Sequence, residues 1–449
     1  MMDKITTFFT ELMRKYLPDP FVFALGLTFL TFVLAILIEG KGPVELVDAW
    51  GNGFWSLLAF TTQMAVILAM GYVLASAPLT TRLLDAIADK VQTPRGAIIV
   101  ATLVGAIGSY LNWGFGLVIG GIIAKKLALR VKGVHYPLII AAAYSGFTMY
   151  GLGLSASIPV LVSTPGHFLE KQMGIVPLSE TIFSVPMLLV SLAVLITLPL
   201  LNAALHPKDP SKVIEVDPNI DGDAAKAAAA AAADPKDLTL AGKINDSRIL
   251  SILICAMAAV YAVKFLFIDG KGLNLNLVNF IILFLGIFLL GTPVRYVAKL
   301  SEGIRTIGGI ILQYPFYAGI MAIMAASGLV VTISAWFVNM ASAETLPFWN
   351  LISSFFINFF APSAGGHWAV QGPFAMEAAM SLKSSLGQNA MAVMLGNAWN
   401  DLVQPFWILP ALAISKLKLK DVMGYTVVMM FYIGILYGGA VLVWGYMAH

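Results

Sequence analysis

The sequence predicts an all-α polytopic membrane protein of about nine transmembrane helices plus two re-entrant hairpins, arranged as two inverted repeats. Three observations carry that expectation: an apolar excess, unbroken apolar runs of span length, and a lopsided distribution of Lys and Arg. Of 449 residues, 59% are hydrophobic and 11% charged, against about half and about a quarter in soluble domains. Apolar surface on that scale exceeds what a water-soluble core buries, so lipid is the expected solvent.

The runs are Phe21–Ile38, Phe54–Ala77, Thr181–Leu205, Ile249–Phe267, Leu275–Leu290 and Val422–Met447, close to the roughly 20 residues a helix needs to cross a bilayer. A transmembrane β-barrel would instead show alternating segments of about ten residues. Met1–Asp19 is polar and mixed in charge, and no small-residue cleavage site follows the first run, which predicts an uncleaved first span. Cys255 is the one cysteine, which excludes an internal disulfide and a cysteine metal cluster. A formal charge of +3 says little about partners, because in a membrane protein the placement of charges counts; no nucleic-acid partner is expected.

Lys and Arg collect on the cytoplasmic side of membrane proteins. Of the 27 here, all but Lys41, Lys171, Lys264, Lys271 and Lys383 fall in one alternating set of inter-span segments. That set is assigned to the inside, with the N-terminus inside and the C-terminus outside. For the sides to alternate, Gly96–Leu129 and Phe348–Leu382 must each enter and leave on the same side. Each is broken at its middle, by Asn112-Trp113-Gly114-Phe115-Gly116 and by Pro362-Ser363-Ala364-Gly365-Gly366-His367.

An internal repeat is expected from a shift of about 250 residues. It brings Gln63 onto Gln313, Ala75-Ser76 onto Ala326-Ser327, and the Asn112 tip onto the Ser363 tip. Each hairpin is followed by a proline step, Thr164-Pro165 and Gln404-Pro405, where a broken helix is expected. The chain then divides into a first repeat at 1–205, a cytoplasmic linker at 206–248, and an extra span plus second repeat at 249–449. The single extra span inverts the second repeat. The linker is expected to be partly helical at Ala227–Ala233.

Inverted repeats with broken helices characterise secondary transporters, whose site lies near mid-depth at the repeat interface. Irregular backbone in a bilayer survives only when buried in protein or lining a watery cavity. A helix start offers free N–H groups to an anion, and a helix end offers carbonyls to a cation. The expected site therefore contains Asn112, Trp113 and Gly114 at one tip, and Ser363, Ala364, Gly365, Gly366 and His367 at the other. Thr164, Pro165, Gln404 and Asp401 belong to the proline steps.

Each residue has a plainer reading as well. Asn112 and Ser363 fit simple helix capping, and the glycines fit tight turns. Thr164 and Gln404 fit repair of carbonyls freed by proline. His367 is the sharpest candidate, because ionisable groups in a membrane are costly and histidine can carry a proton; otherwise it is a neutral, hydrogen-bonded imidazole. Asp401, near Asn397 and Asn400, could hold a cation or a proton, or pair with a lysine. Glu377 could face water. Trp113, Trp368 and Trp407 pack, or wall off an acyl chain.

The same stretches resemble the short-chain fatty acid transporters (AtoE-like). The resemblance rests on LPDPFVFAL at Leu17–Leu25, GFWSLLAF at Gly53–Phe60, NWGFGLV at Asn112–Val118, STPG at Ser163–Gly166, PSAGGHWAVQGPF at Pro362–Phe374 and QPFW at Gln404–Trp407. It implies uptake of monocarboxylates such as acetoacetate or butyrate across the bacterial inner membrane with a coupled cation. The family is similar in turn to the wider ion-transporter superfamily, which implies elevator-type movement and a homodimer. The tips here lack the paired Asn-Thr of some of those relatives, and both H⁺ and Na⁺ stay open as the coupling ion. No other cofactor is expected.

A carrier of lactate or a dicarboxylate would keep this architecture, although a dicarboxylate needs a second anion subsite and the tips carry no arginine. A channel would need a ring of repeated charges, and none is present. No H-E-x-x-H or G-x-S-x-G motif supports an enzyme.

Overall fold

The computed structural model describes residues 20–220 and 239–447, and every regular element among them is helical. Among the described residues, eight helical stretches are long and apolar enough to cross a membrane, which makes this a multi-pass membrane protein. Expectation and structure count differently in three places. Leu275–Leu290 is shorter than the other spans, the segment 386–415 is split in two, and Pro94–Leu111, expected as half of a hairpin, is span-length by itself.

The first half runs α1 (Pro20–Glu39), α2 (Pro43–Gly53), α3 (Leu58–Ala75), α4 (Pro78–Ala88), α5 (Pro94–Leu111), α6 (Trp113–Arg130), α7 (Tyr136–Ser145), α8 (Ser157–Val162) and α9 (Val185–Ala204). After a crossing helix, α10 (Arg248–Val263), elements of matching order follow. These are α11 (Leu275–Leu290), α12 (Pro293–Ile304), α13 (Gly308–Ser327), α14 (Leu329–Met340), α15 (Leu346–Ile357), α16 (Ala364–Leu382), α17 (Leu386–Asn400), α18 (Pro405–Ser415) and α19 (Leu419–Met447). Proline at the first turn and a side-chain cap set several starts: Thr93 accepts from the Gly96 amide before α5, and Asn274 from Leu277 before α11. Both devices satisfy or remove amides the helix cannot pair itself.

The halves interlock. Helix α3 packs on α11 and α12, and α13 packs reciprocally on α1 and α2. Helices α5 and α6 form an antiparallel hairpin with its tip at Asn112. A β-carbon at Gly116 would overlap the Ser109 backbone, and one at Gly120 would lie 3.5 Å from the Gly105 Cα. Helices α15 and α16 form the second hairpin, with Ser354 opposite His367 and Asn350 opposite Gln371.

The interruption in the first half lies upstream of the expected Thr164-Pro165 step. Helix α7 ends at Ser145, a tighter 3-10 helix spans Gly146–Leu152, and a turn closed by the Ala156 amide on the Gly153 carbonyl leads into α8. The physical reason is the hairpin beneath it. Gly153 lies against the Tyr110 carbonyl, where a side chain would not fit, and the Leu154 amide donates to that same carbonyl at 2.7 Å. Pro165 follows the end of α8 and costs no helical hydrogen bond. In the second half the chain leaves helical geometry at 401–404, between α17 and α18.

The described start of the linker docks on the loop before α7. The Tyr136 amide donates to the Ile214 carbonyl at 2.7 Å, the Ile214 amide to His135 Nδ1 at 3.0 Å, and Lys416 Nζ to the Ile220 carbonyl at 2.7 Å. Burial, then neighbouring His206, pushes the His135 imidazole down to about 4, so it stays a neutral acceptor. The alanine run Ala227–Ala233 and the segment Met1–Asp19 lie outside the described residues.

Candidate functional site

Both hairpin tips and the first helix interruption meet at one narrow cleft, with the second interruption behind it. It is lined by Trp113 at the first tip, Ser363 and Ala364 at the second, and Phe147, Tyr150 and Ser157 from the first interruption. Trp407 enters from α18, with Met64, Ile310 and Tyr314 completing the wall. About 280 Å³ lies between these atoms, but only about 10 Å³ admits the centre of a water molecule, room for about one water. Trp113 meets Trp407 edge to face at 5.4 Å, and Phe147 stacks on Tyr150 at 4.5 Å.

The two tips serve the cleft differently. Asn112 caps α6, its Oδ1 accepting from the Phe115 amide at 2.8 Å. Ser363 makes no such bond to α16; its hydroxyl instead pairs with that of Tyr314 at 2.7 Å. The first turn of α16 therefore starts at the cleft without a cap from Ser363, and the Tyr314 hydroxyl lies against its Gly366 amide. Trp113, 4% exposed, has an indole N–H with no acceptor among the described residues. N–H groups converging on an apolar, aromatic cleft suit a carboxylate with a short tail, and no lysine or arginine lines the cleft.

Behind the cleft lies a buried polar network. Asp401, in the second interruption, is 0% exposed. Its Oδ2 accepts from the Tyr150 hydroxyl at 2.7 Å and its Oδ1 from Asn358 Nδ2 at 2.8 Å. Tyr150 also reaches Asn397 Oδ1 at 2.5 Å, and Asn358 reaches Asn400 Oδ1 at 3.1 Å. Asn397 Nδ2 donates to Asn358 Oδ1, and the Tyr144 hydroxyl donates to the Asp401 carbonyl at 2.5 Å. Gln404 Nε2 closes the interruption onto the Asn358 carbonyl at 3.2 Å.

The expected site residues thus separate into groups. Trp113, Ser363 and Ala364 line the cleft, while Asp401 and Gln404 belong to the network. Gly114, Gly365 and Gly366 face α3 and α13 closely: β-carbons there would lie 3.2 Å from the Leu68 carbonyl, 2.7 Å from the Phe60 ring, and within the Tyr317 ring. They allow helix packing and do not line the cleft. Thr164 and Pro165 are not at the cleft. Thr164 Oγ1 donates to the Val160 carbonyl at 2.7 Å and accepts from the Leu275 amide at 3.0 Å, which ties α8 to the start of α11.

His367 also lies off the cleft, inside the second hairpin. Its Nε2 faces Gln371 Oε1 at 2.5 Å and Ser354 Oγ at 3.2 Å, and its Nδ1 faces Asn397 Nδ2 at 3.5 Å. Glu377 accepts from Gln172 at 3.3 Å and is no part of the site. Sequence reasoning missed Tyr150, Asn358 and Tyr314. The signal for Asn358 was a lone amide four residues before Pro362 in an aromatic run. Tyr150 and Tyr314 look like any aromatic of a span.

An all-helical membrane fold, with two helix interruptions flanking a buried aromatic cleft and the polar network behind it, fits the transporter class of protein. The model of the family described as Short chain fatty acid transporter matches residues 1–444. Two relatives provisionally named short-chain fatty acid transporters align with nearly the whole chain. One from Escherichia coli (strain K12) is 39% identical over 440 residues, 97% of this chain and 98% of its own length. One from Haemophilus influenzae is 40% identical over 439 residues, 95% and 96% respectively. The chain belongs to the short-chain fatty acid transporter family. The fold is shared with the crystal structure of the Alcanivorax borkumensis YdaH transporter, described as having an unusual topology. That likeness has a TM-score of 0.61 at 14% identity, covering 95% of this chain and 98% of the other.

Proposed function

We propose that the protein takes up short-chain monocarboxylates such as butyrate or acetoacetate across the bacterial inner membrane, together with a coupled cation. The observation that carries this reading is the cleft between the tips. The α16 start, which Ser363 does not cap, and the Trp113 N–H offer donors to one carboxylate. Aromatic rings offer room for a short tail, and the absence of arginine from the lining disfavours a second carboxylate.

Because the cleft holds little more than one water, a substrate enters only when the tips separate. We read the two hairpins as re-entering the membrane from opposite sides, in inverted repeats bounded at 205 and 249. The hairpins travel with α7–α8 and α17–α18 as an elevator body. The remaining helices, crossed through α3 and α13, form the fixed frame, with the N-terminus cytoplasmic and the C-terminus periplasmic.

Uptake of radiolabelled butyrate into proteoliposomes under an imposed pH or sodium gradient tests this. Accumulation under either gradient, reduced by Trp113→Phe, is the expected result. Purified, folded protein that moves no butyrate under either gradient overturns the substrate assignment. Competition by lactate or succinate stronger than that by acetoacetate shifts the assignment to another carboxylate.

A further inference from the structure

The cleft and the Asp401 network share one side chain. Tyr150 lines the cleft, and its hydroxyl is the donor to both Asp401 Oδ2 and Asn397 Oδ1. Asp401 has no countercharge: the ion pairs among the described residues all lie elsewhere. A buried, unpaired carboxylate is expensive to keep, and within a membrane such a group is a functional candidate by default.

We propose that Tyr150 is a two-position donor that couples protonation of Asp401 to monocarboxylate binding in the cleft, an inference that rests on the transport reading above. With Asp401 ionised, the single Tyr150 hydrogen is held by the network. A proton from water on one side forms an O–H bond at Asp401 Oδ2, which turns that oxygen from acceptor to donor. The new hydrogen goes to Asn397 Oδ1, and the Tyr150 hydroxyl is released toward the cleft, where a substrate carboxylate accepts it. When the substrate leaves on the far side, Tyr150 returns to the network and Asp401 gives its proton to water there. One proton and one monocarboxylate anion cross together, and no net charge moves.

The surroundings favour a proton over a sodium ion. Sodium, a hard cation, needs several free oxygens, yet Asn397 Oδ1 and Asn400 Oδ1 already accept from Tyr150 and Asn358. The other titratable groups around Asp401 are Tyr144 on α7, Tyr314 on α13 and His367 on α16. Phenols keep their protons through the neutral range. His367 is one amide removed, and both its ring nitrogens are engaged. Asp401 is thus the group left to carry the proton.

The test measures the KM for butyrate exchange in proteoliposomes at equal internal and external pH, between about pH 5 and pH 8. It also measures accumulation under an inward pH gradient. For the unmodified protein, KM is expected to rise about tenfold per pH unit once Asp401 ionises, because coupling between two ligands is reciprocal. Asp401→Asn is expected to give a KM that no longer varies with pH, and to lose accumulation under the gradient. Tyr150→Phe is expected to flatten the same profile with a raised KM. Should Asp401→Asn fail to fold, Tyr150→Phe, which removes one oxygen, carries the test alone.

Retention of the full pH slope in either variant overturns the proposal and leaves butyrate transport standing. Accumulation driven by sodium with a pH-independent KM in the unmodified protein overturns it in favour of a metal cation. Unmodified protein that exchanges no butyrate overturns the transport reading, and the coupling with it.

Discussion

The two hairpins occupy matching places in the chain but are held together by different physics. In the first, α5 and α6 approach along a seam of small residues, with Gly116 pressed on the Ser109 backbone and Gly105 near Gly120. Its tip is closed by a side-chain cap from Asn112. It is tied to α4 by ion pairs, Lys126 and Arg130 to Asp85 at 2.6 and 2.8 Å. In the second, α15 and α16 are joined by buried side-chain hydrogen bonds through His367 and Gln371. Its tip has no cap from Ser363, and it meets α14 through stacked Phe337 and Phe374. Close backbone packing makes a stiff element. A bonded polar interior is intolerant of lost partners but holds groups that can change donor and acceptor roles. The first hairpin is built as a stiff wall, and the second as a bonded support that reaches the Asp401 network through Asn358.

Substitutions that respect this difference should separate the hairpins. Gly116→Val is expected to have the largest effect. It sets a side chain into backbone, at a cost beyond the ~1–3 kcal/mol of ordinary overpacking, so little monodisperse protein should survive size-exclusion chromatography. Gly365→Ala meets only the ends of the Phe60 and Tyr314 side chains and should remain purifiable. Equal loss from both would break the comparison.

Asn358→Leu comes next. It strips a donor from Asp401 and Asn400, at about 1–3 kcal/mol for buried groups left unpaired, read as a lowered melting temperature. Asn112→Ala should cost about 1 kcal/mol for the lost cap. Ser363→Ala, which removes no cap, should lower thermal stability less and reduce butyrate uptake more. The smallest effect belongs to Asp85. The hydrogen bond from Lys126, followed by that from Arg130, holds its carboxyl below the usual aspartate range. A depressed folded-state value adds stability at neutral pH, lost as acid protonates the group. Asp85→Asn should therefore cost under about 1 kcal/mol at this partly exposed site, fade at high salt, and cost nothing at pH values below the aspartate range.

Much of this architecture is legible from the residues alone. Span-length apolar runs mark most of the long helices, because a bilayer imposes one length on every crossing. The hairpin tips are legible because a break costs hydrogen bonds in lipid, so Asn112 and Ser363 stand out. The first interruption is not, because its cause is tertiary: Gly153 is set by the Tyr110 carbonyl of another helix, whereas Pro165 offers an obvious but unused local breaker. His367 stands out for its charge alone, yet the fold turns it inward to Gln371 and Ser354. Tyr150 is silent in sequence because nothing local distinguishes a tyrosine that joins two sites from one that packs.

The reciprocal crossing of α3 and α13 has a consequence in time. Gln63 Nε2 on α3 donates to Asn276 Oδ1 at 2.6 Å across 213 residues of chain. At about 5–20 residues per second of synthesis, on the order of 10–40 s pass between translation of the two partners. During that interval α3 sits in the bilayer with its amide unmatched and its packing face open to lipid. The nascent first half is therefore a membrane-embedded intermediate that waits for its own second half. Chains truncated near residue 205 should be recognised as orphans and degraded, while coexpressed halves can rescue one another.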